Sequence, residues 1–371
     1  MRSRLPDQVA EALLAPLVDQ HCHGVRRDDL VRSAFETLIT ESGAPAPPGT
    51  THFDSPLGLA VRRWCAPLLD LEPHAPPAVY LARRAELGAE EANRRLLRAA
   101  GVVAFLMDGG GDGDLLSPAE TGRLGGAAAD EVVRLERVEE EVAAEGLVSL
   151  DYLDRLQREV EERASRCVGL SSVVAYRYGL DFEAGRPSRG AVLAAAGRRL
   201  ADPKRPLGDP VLLRHLLWLA ADVARERALP IQFPCGDGGA RPSAPHRGDP
   251  ARMAGFIRAL LPLSVPVILL DCYPYHRQAA RLAAAFPHVY AGEARPAALT
   301  ESLELAPFHK LLFGSGGAGV AETIYLGALN HRRALGRLLA ERLAEDEWSA
   351  ADAVRVAQMI GSGNARRIYR L

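Results

Sequence analysis

Eight short apolar runs, most of them followed by a helical stretch, constrain this chain more than any other feature. They are "PLVDQHCHG" near the start, "VVAFLMDGG" near 102–110, "EVVRLERVE" near 131–139 and "CVGLSSVVAYR" near 167–177. Then come "LPIQFPCGDGG" near 229–239, "VPVILLDCYP" near 265–274, "HVYAGEA" near 288–294 and "KLLFGSGGAG" near 310–319. Near-continuous apolar runs are what strands of a parallel sheet covered on both faces require. The segments between them, such as "SRGAVLAAAGRRLA" and "DPVLLRHLLWLAADVARERA", carry apolar residues at three- and four-residue spacing with charge opposite. Asp209 before Pro210, and Asp249 before Pro250, read as N-caps followed by proline at the first helical position. Eight such alternations predict an α/β fold, a (β/α)8 TIM barrel.

Residues 25–100 do not fit one crossover. "RDDLVRSAFETLI", "SPLGLAVRRWCAPLL", "PPAVYLARRAEL" and "AEEANRRLLRAAG" read as several helices, broken by "SGAPAPPGTTHFDSP". We expect a helical cap inserted after the first strand, lying over the barrel mouth of a single domain spanning 1–371. A chain of 371 residues with 48% hydrophobic content has ample material for one large core.

Charge and cysteine usage exclude some functions. A net charge of -2 gives no bulk attraction to nucleic acid or to an anionic membrane. Five scattered cysteines without CxxC pairs argue against a disulfide framework and a structural zinc site. The first residues hold no sustained apolar core of a signal peptide, and no apolar run reaches the ~18 residues of a membrane span. The expected setting is cytoplasmic and the expected partner a small molecule. Pairing into a homodimer is left open.

In a barrel of this type, chemistry sits where strands end. The first run ends in His21-Cys22-His23, two histidines that share a face and can hold one ion. They can equally be hydrogen-bonded structural residues. The second run ends in Asp108-Gly109-Gly110, which reads as turn chemistry. The fourth offers Tyr176 and Arg177, a fork for a carboxylate or a stiffening ion pair. Gln232 on the fifth, and Tyr275 and His276 after the sixth, are further candidate substrate contacts. Cys22 and Cys272 read as core packing. Cys235 beside Asp237 has no base near it in sequence. Asp54 reads as a cap ahead of Pro56, and "ERVEEEVAAEG" as a strand end and a solvated helix face.

Taken together, "LVDQHCHG", "AYRYGLDF", "LPIQF", "VILLDCYPYHRQAARLAAAFPHVY", "ESLELAPFHKLLFGS" and "MIGSGNARRIYRL" resemble the amidohydrolase 2 branch of the metal-dependent amidohydrolase superfamily. The resemblance covers almost the whole chain and implies a metal held at the strand ends. It also implies departures. Pro234 stands where the branch has a fifth-strand histidine, and Asp271 where it has a sixth-strand histidine. Gly316 replaces an eighth-strand aspartate, and Ser171 a lysine before "SxxAYR". Proline and glycine offer no side-chain donor, and the lost aspartate would have been the general base.

Three readings follow. One is an enzyme acting on a small carboxylate-bearing molecule by metal-poor or metal-free hydrolase or lyase chemistry, with His21, His23 and Asp271 as acid or base. A second is a non-catalytic barrel that binds a ligand or a partner protein. A third is a mononuclear hydrolase whose single, weakly held Zn or Mn ion sits on His21, His23 and Asp271.

Overall fold

The computed structural model describes residues 5–109, 113–236, 245–292 and 295–371. Its centre is an eight-stranded parallel sheet in strict sequence order. The strands are β1 (Leu17–Cys22), β2 (Val102–Gly109), β3 (Ala128–Arg134), β4 (Gly169–Ser171), β5 (Ile231–Pro234), β6 (Val267–Leu270), β7 (Val289–Gly292) and β8 (Leu311–Leu312). Backbone bonds close the ring between β8 and β1. The Gln20 amide donates to the Phe313 carbonyl (3.2 Å), Gly316 to that of His21 (3.0 Å), and His23 to that of Gly317 (2.8 Å). The fold is therefore the expected (β/α)8 barrel.

Strand ends differ from the sequence reading where a helix competes. The third run stops being strand at Arg134, and Leu135–Ala143 is helical. The fourth keeps only Gly169–Ser171, because Val174–Arg177 turns into a short helix. The Asp237 end of the fifth run and Gly110 of the second lie outside the described residues.

Capping follows local chemistry. The Asp209 carboxylate accepts from the Val211 and Leu212 amides, and Pro210 opens the helix Pro210–Arg227. Asp249 likewise accepts from the Ala251 amide (2.9 Å). Ahead of Pro56 the cap is Ser55 rather than Asp54: the Ser55 hydroxyl accepts from the Gly58 amide (3.0 Å). "ERVEEEVAAEG" is not wholly solvated. Glu136 and Glu139 are buried, Glu136 accepting from the Ser172 hydroxyl (2.6 Å) and Glu139 from the Arg199 guanidinium (2.7 Å). Both carboxylates are tolerated inside because hydrogen-bond donors meet them.

Between β1 and β2 lie the helices Arg32–Leu38, Pro56–Ala60, Pro77–Leu87 and Ala89–Ala99. They share one apolar cluster with β1, β2 and the helix Ala321–Ala344, through Phe35, Phe53, Tyr80, Leu96, Phe105 and Ile324. A buried ion pair crosses it: Arg84 Nε donates to Glu322 Oε1 (2.8 Å), which also accepts from the Tyr80 hydroxyl (2.8 Å).

The barrel interior is filled by Val18, Leu106, Val132, Ile268, Leu270 and Leu312. Ala365, Ile368 and Tyr369 of the final helix (Asn364–Tyr369) join this core. The Tyr369 ring meets Gly169 at the start of β4, so this helix stoppers the N-terminal end of the barrel. The other end stays open for the site.

Candidate metal centre at the barrel mouth

β1 is buried along its whole length. His21 is enclosed and His23 only partly so, with ring centroids 4.9 Å apart and planes at 79°. Asp108, near the end of β2, is buried beside them. One ligand atom from each of His21, His23 and Asp108 lies within 4.8 Å of the other two.

Hydrogen bonding leaves this cluster incompletely satisfied. Asp108 Oδ2 accepts from Arg134 Nη2 (2.5 Å) and from the Ser171 hydroxyl (3.3 Å). Asp108 Oδ1 and His21 Nδ1 are buried and have no partner among the described residues. An orphaned buried polar atom costs about 1–3 kcal/mol, and an orphaned carboxylate oxygen beside two imidazoles suits a cation. Two nitrogens and one oxygen are also an ordinary donor set for a divalent ion. The residues present therefore fit a single metal.

Asp271 follows β6 with a left-handed backbone (φ 48) that aspartate tolerates better than most residues. The turn depends on Gly236: a Cβ there would stand 2.4 Å from the Asp271 carbonyl oxygen. Asp271 Oδ2 sits 3.5 Å from His21 Nε2.

Electrostatics separate the two histidines. Burial opposes a charge on His21, but the carboxylates of Asp271, Asp108 and Asp19 outweigh it and raise its pKa. His23 is pulled down to about 4, by burial first and then by the charge of His21. Asp271 and Asp108 are both held below the usual carboxylate range. Burial raises them, but His21 outweighs it at Asp271, and Arg134 with the histidines outweighs it at Asp108. Asp19, two residues before His21 on β1, is pushed up to about 6 by burial, although it accepts from the Ser315 amide (2.8 Å).

A cavity of about 550 Å³ opens at the mouth, lined by Asp271, Tyr176, Cys235, Tyr273, Arg295, Ser315 and Gly316. Glu41, Pro56, Leu57 and Ala60 of the inserted segment form part of its wall. A second cavity, of about 340 Å³, reaches Asp108 and Arg134 from the β2–β3 side.

The structure brings His21, His23 and Asp271 together, with Tyr176 on the cavity wall, its hydroxyl donating to the Cys235 carbonyl (2.6 Å). It does not bring Arg177 there: that guanidinium pairs with Glu140 (2.9 Å). Gln232 is buried inside the barrel, its amide donating to the Gln20 carbonyl (2.7 Å) and to the Tyr369 oxygen (2.8 Å). His276 faces Glu301 (2.8 Å) and stacks on Tyr273, and Tyr275 precedes its helix outside the cavity lining. Cys235 is buried, with its thiol turned to the Phe233 carbonyl (3.1 Å). Cys22 and Cys272 are buried in the core.

Arg134 and Asp19 stand beside the cluster without having been picked out in the sequence, and Asp108 was read there as turn chemistry. The available signal for Asp108 was its position, at the end of the second run as His23 is at the end of the first. A following glycine pair disguised it as a turn.

No family model matches the chain. Over 223 residues, 55% of this chain, it is 28% identical to Protein fluG of Emericella nidulans, of whose length that stretch is 26%. The chain thus spans about a quarter of that relative. Among solved structures, a Lactobacillus casei protein assigned as a metal-dependent hydrolase superposes with a TM-score of 0.81 at 23% identity, covering 99% of this chain and 98% of that one. Uronate isomerase of Thermotoga maritima gives 0.69 at 13% identity, covering 98% of each chain. Glucuronate isomerase of Caulobacter crescentus gives 0.69 at 14%, covering 100% and 96%. No helix among the described residues is long and apolar enough to cross a membrane. In fold, the chain is a (β/α)8 barrel like that of these three solved structures.

Proposed function

We propose that the barrel mouth holds one divalent ion on His21, His23 and Asp108, with Asp271 alongside, and acts on a small carboxylate-bearing molecule as a hydrolase or lyase. The observation that carries this reading is the His21–His23–Asp108 cluster, whose ligand atoms lie within 4.8 Å of one another at the end of the barrel that stays open. Asp108 takes the part that the sequence reading gave to Asp271, and that frees Asp271 for another role.

A bound divalent ion supplies Lewis acidity at this point, polarising a carbonyl or acidifying water. The chain's own groups supply the rest. Arg134 and Ser171 fix one oxygen of Asp108 and leave the other free. Asp271, held ionised by His21, can accept a proton at Oδ2 at the cavity edge. The wall formed by Pro56, Leu57 and Ala60 limits water entry from the side of the insertion.

A second reading, ligand binding without turnover, draws support from the bare ends of β5 and β8, where Pro234 and Gly316 offer no donor atoms. Titration of chelator-stripped protein with Mn²⁺ and with Zn²⁺ tests the first reading. The expected result is about one equivalent bound, lost in His21→Ala/His23→Ala. No saturable binding would leave the second reading standing.

A further inference from the structure

The mouth cavity holds one feature that neither the metal cluster nor the proton-accepting Asp271 uses. Among the described residues lining it there is a single cationic side chain, Arg295, and its wall is otherwise neutral apart from Glu41 and Asp271. Arg295 stands at the position before the helix Pro296–Leu303, three residues beyond the end of β7, and its side chain makes no cap bond. Its guanidinium lies over the Tyr273 ring, 4.9 Å from the centroid, so an aromatic face restricts where the fork can point. Its Nη2 donates to Glu41 Oε1 (3.0 Å), and Glu41 belongs to the insertion, which also lines the cavity.

That ion pair is a poor structural clamp. The Arg295 and Glu41 side chains are 51% and 67% exposed, in the range where such pairs contribute little to stability and exchange readily. It is a good resting arrangement for a carboxylate site, because Glu41 presents the same chemical group that a ligand would bring. Arg134 is committed to Asp108 and Arg177 to Glu140, and neither lines the cavity. The volume, about 550 Å³, falls in the range of small-molecule sites.

We propose that Arg295 is the carboxylate anchor of the mouth cavity and that Glu41 occupies it until an acid displaces Glu41. This rests on reading the mouth as a small-molecule site. The ligand is a small carboxylic acid whose carboxylate meets Arg295. Its reacting end faces Asp271, which stands 3.5 Å from His21, and its middle lies under the apolar wall of Pro56, Leu57 and Ala60. Bidentate geometry favours arginine over lysine for this role.

The test uses the whole protein and a set of mono- and dicarboxylic acids of two to six carbons, each paired with its primary amide. Binding is read by calorimetry, with metal content measured on the same samples. The expected result is at least one acid bound roughly tenfold or more tightly than its amide. In Arg295→Met that preference falls to within about twofold, and in Glu41→Gln the acid binds more tightly than in the unaltered protein. Arg295→Lys retains part of the preference, which separates loss of recognition from loss of fold. The proposal is overturned if no acid is preferred over its amide, or if the preference survives in Arg295→Met. Acid preference without bound metal would sink the metal reading and leave this one intact. Bound metal without acid preference would do the reverse.

Discussion

His21 Nε2 and Asp271 Oδ2 stand 3.5 Å apart across the barrel mouth, joining the end of β1 to the turn after β6. The contact gives the imidazole a carboxylate neighbour, the kind of partner that fixes ring orientation and raises basicity. Asp271→Asn keeps the shape and removes the charge. We expect it to lower Mn²⁺ affinity about 10–100-fold, with Asp108→Asn costing more because it removes a donor oxygen. Calorimetric titration of both variants checks the order; equal affinities in Asp271→Asn and the unaltered protein would show that the contact is idle.

The Arg84–Glu322 pair is buried, with Tyr80 as a third member. Arg84→Met leaves Glu322 charged and unpaired in an apolar cluster, and should cost about 3–5 kcal/mol in urea unfolding. Adding Glu322→Leu should return much of that loss, because the stranded charge goes with it. A double variant no more stable than Arg84→Met would refute this.

His331 is buried with neither ring nitrogen partnered among the described residues, and burial drives its pKa from 6.5 down to about 3. The folded state therefore resists protonation while the unfolded chain takes a proton near 6.5. This contribution is fully present above 6.5 and is lost as pH falls from there toward 3. In urea unfolding, the loss of stability between about pH 7 and about pH 5 should be smaller in His331→Leu by about 2 kcal/mol. Identical losses in the two proteins would contradict the assignment.

Tyr369 reaches up from the final helix, its hydroxyl donating to Gln20 Oε1 (2.8 Å) and accepting from Gln232 Nε2 (2.8 Å). Tyr369→Phe keeps the ring packing and removes both bonds: Gln232 Nε2 retains the Gln20 carbonyl, and Gln20 Oε1 is left with only a long contact from Gln232 Nε2 (3.4 Å). The expected cost is about 1–3 kcal/mol. Because Gln20 precedes His21, a fall in metal affinity should accompany it. Unchanged stability would mean that Gln20 Oε1 is satisfied without the hydroxyl.

The barrel was legible because most strands are buried apolar runs that end in polar residues, β3 excepted with only Val132 and Val133 buried, and no tertiary knowledge is needed to see that pattern. Strand ends were less so. Arg134 closes β3 in a segment whose acidic tail reads as helix surface, yet Glu136 and Glu139 are buried by Ser172 and Arg199, partners far along the chain. His21, His23 and Asp271 were readable as strand-end donors. Asp108 was hidden by its glycines. Arg177 looked available because Glu140, its partner 37 positions earlier (177 − 140), is a contact made only by folding. Arg295 had no local signal, since its meaning comes from Tyr273 and Glu41, which belong to other loops.

The central claim is that one divalent ion sits on His21, His23 and Asp108. Crystals grown with Mn²⁺ and measured near the manganese absorption edge test it most directly. We expect one anomalous peak within ligand distance of both imidazoles and the free Oδ1 of Asp108, with Asp108 still paired to Arg134. An empty cluster at saturating Mn²⁺, or a peak held by other side chains, would contradict it.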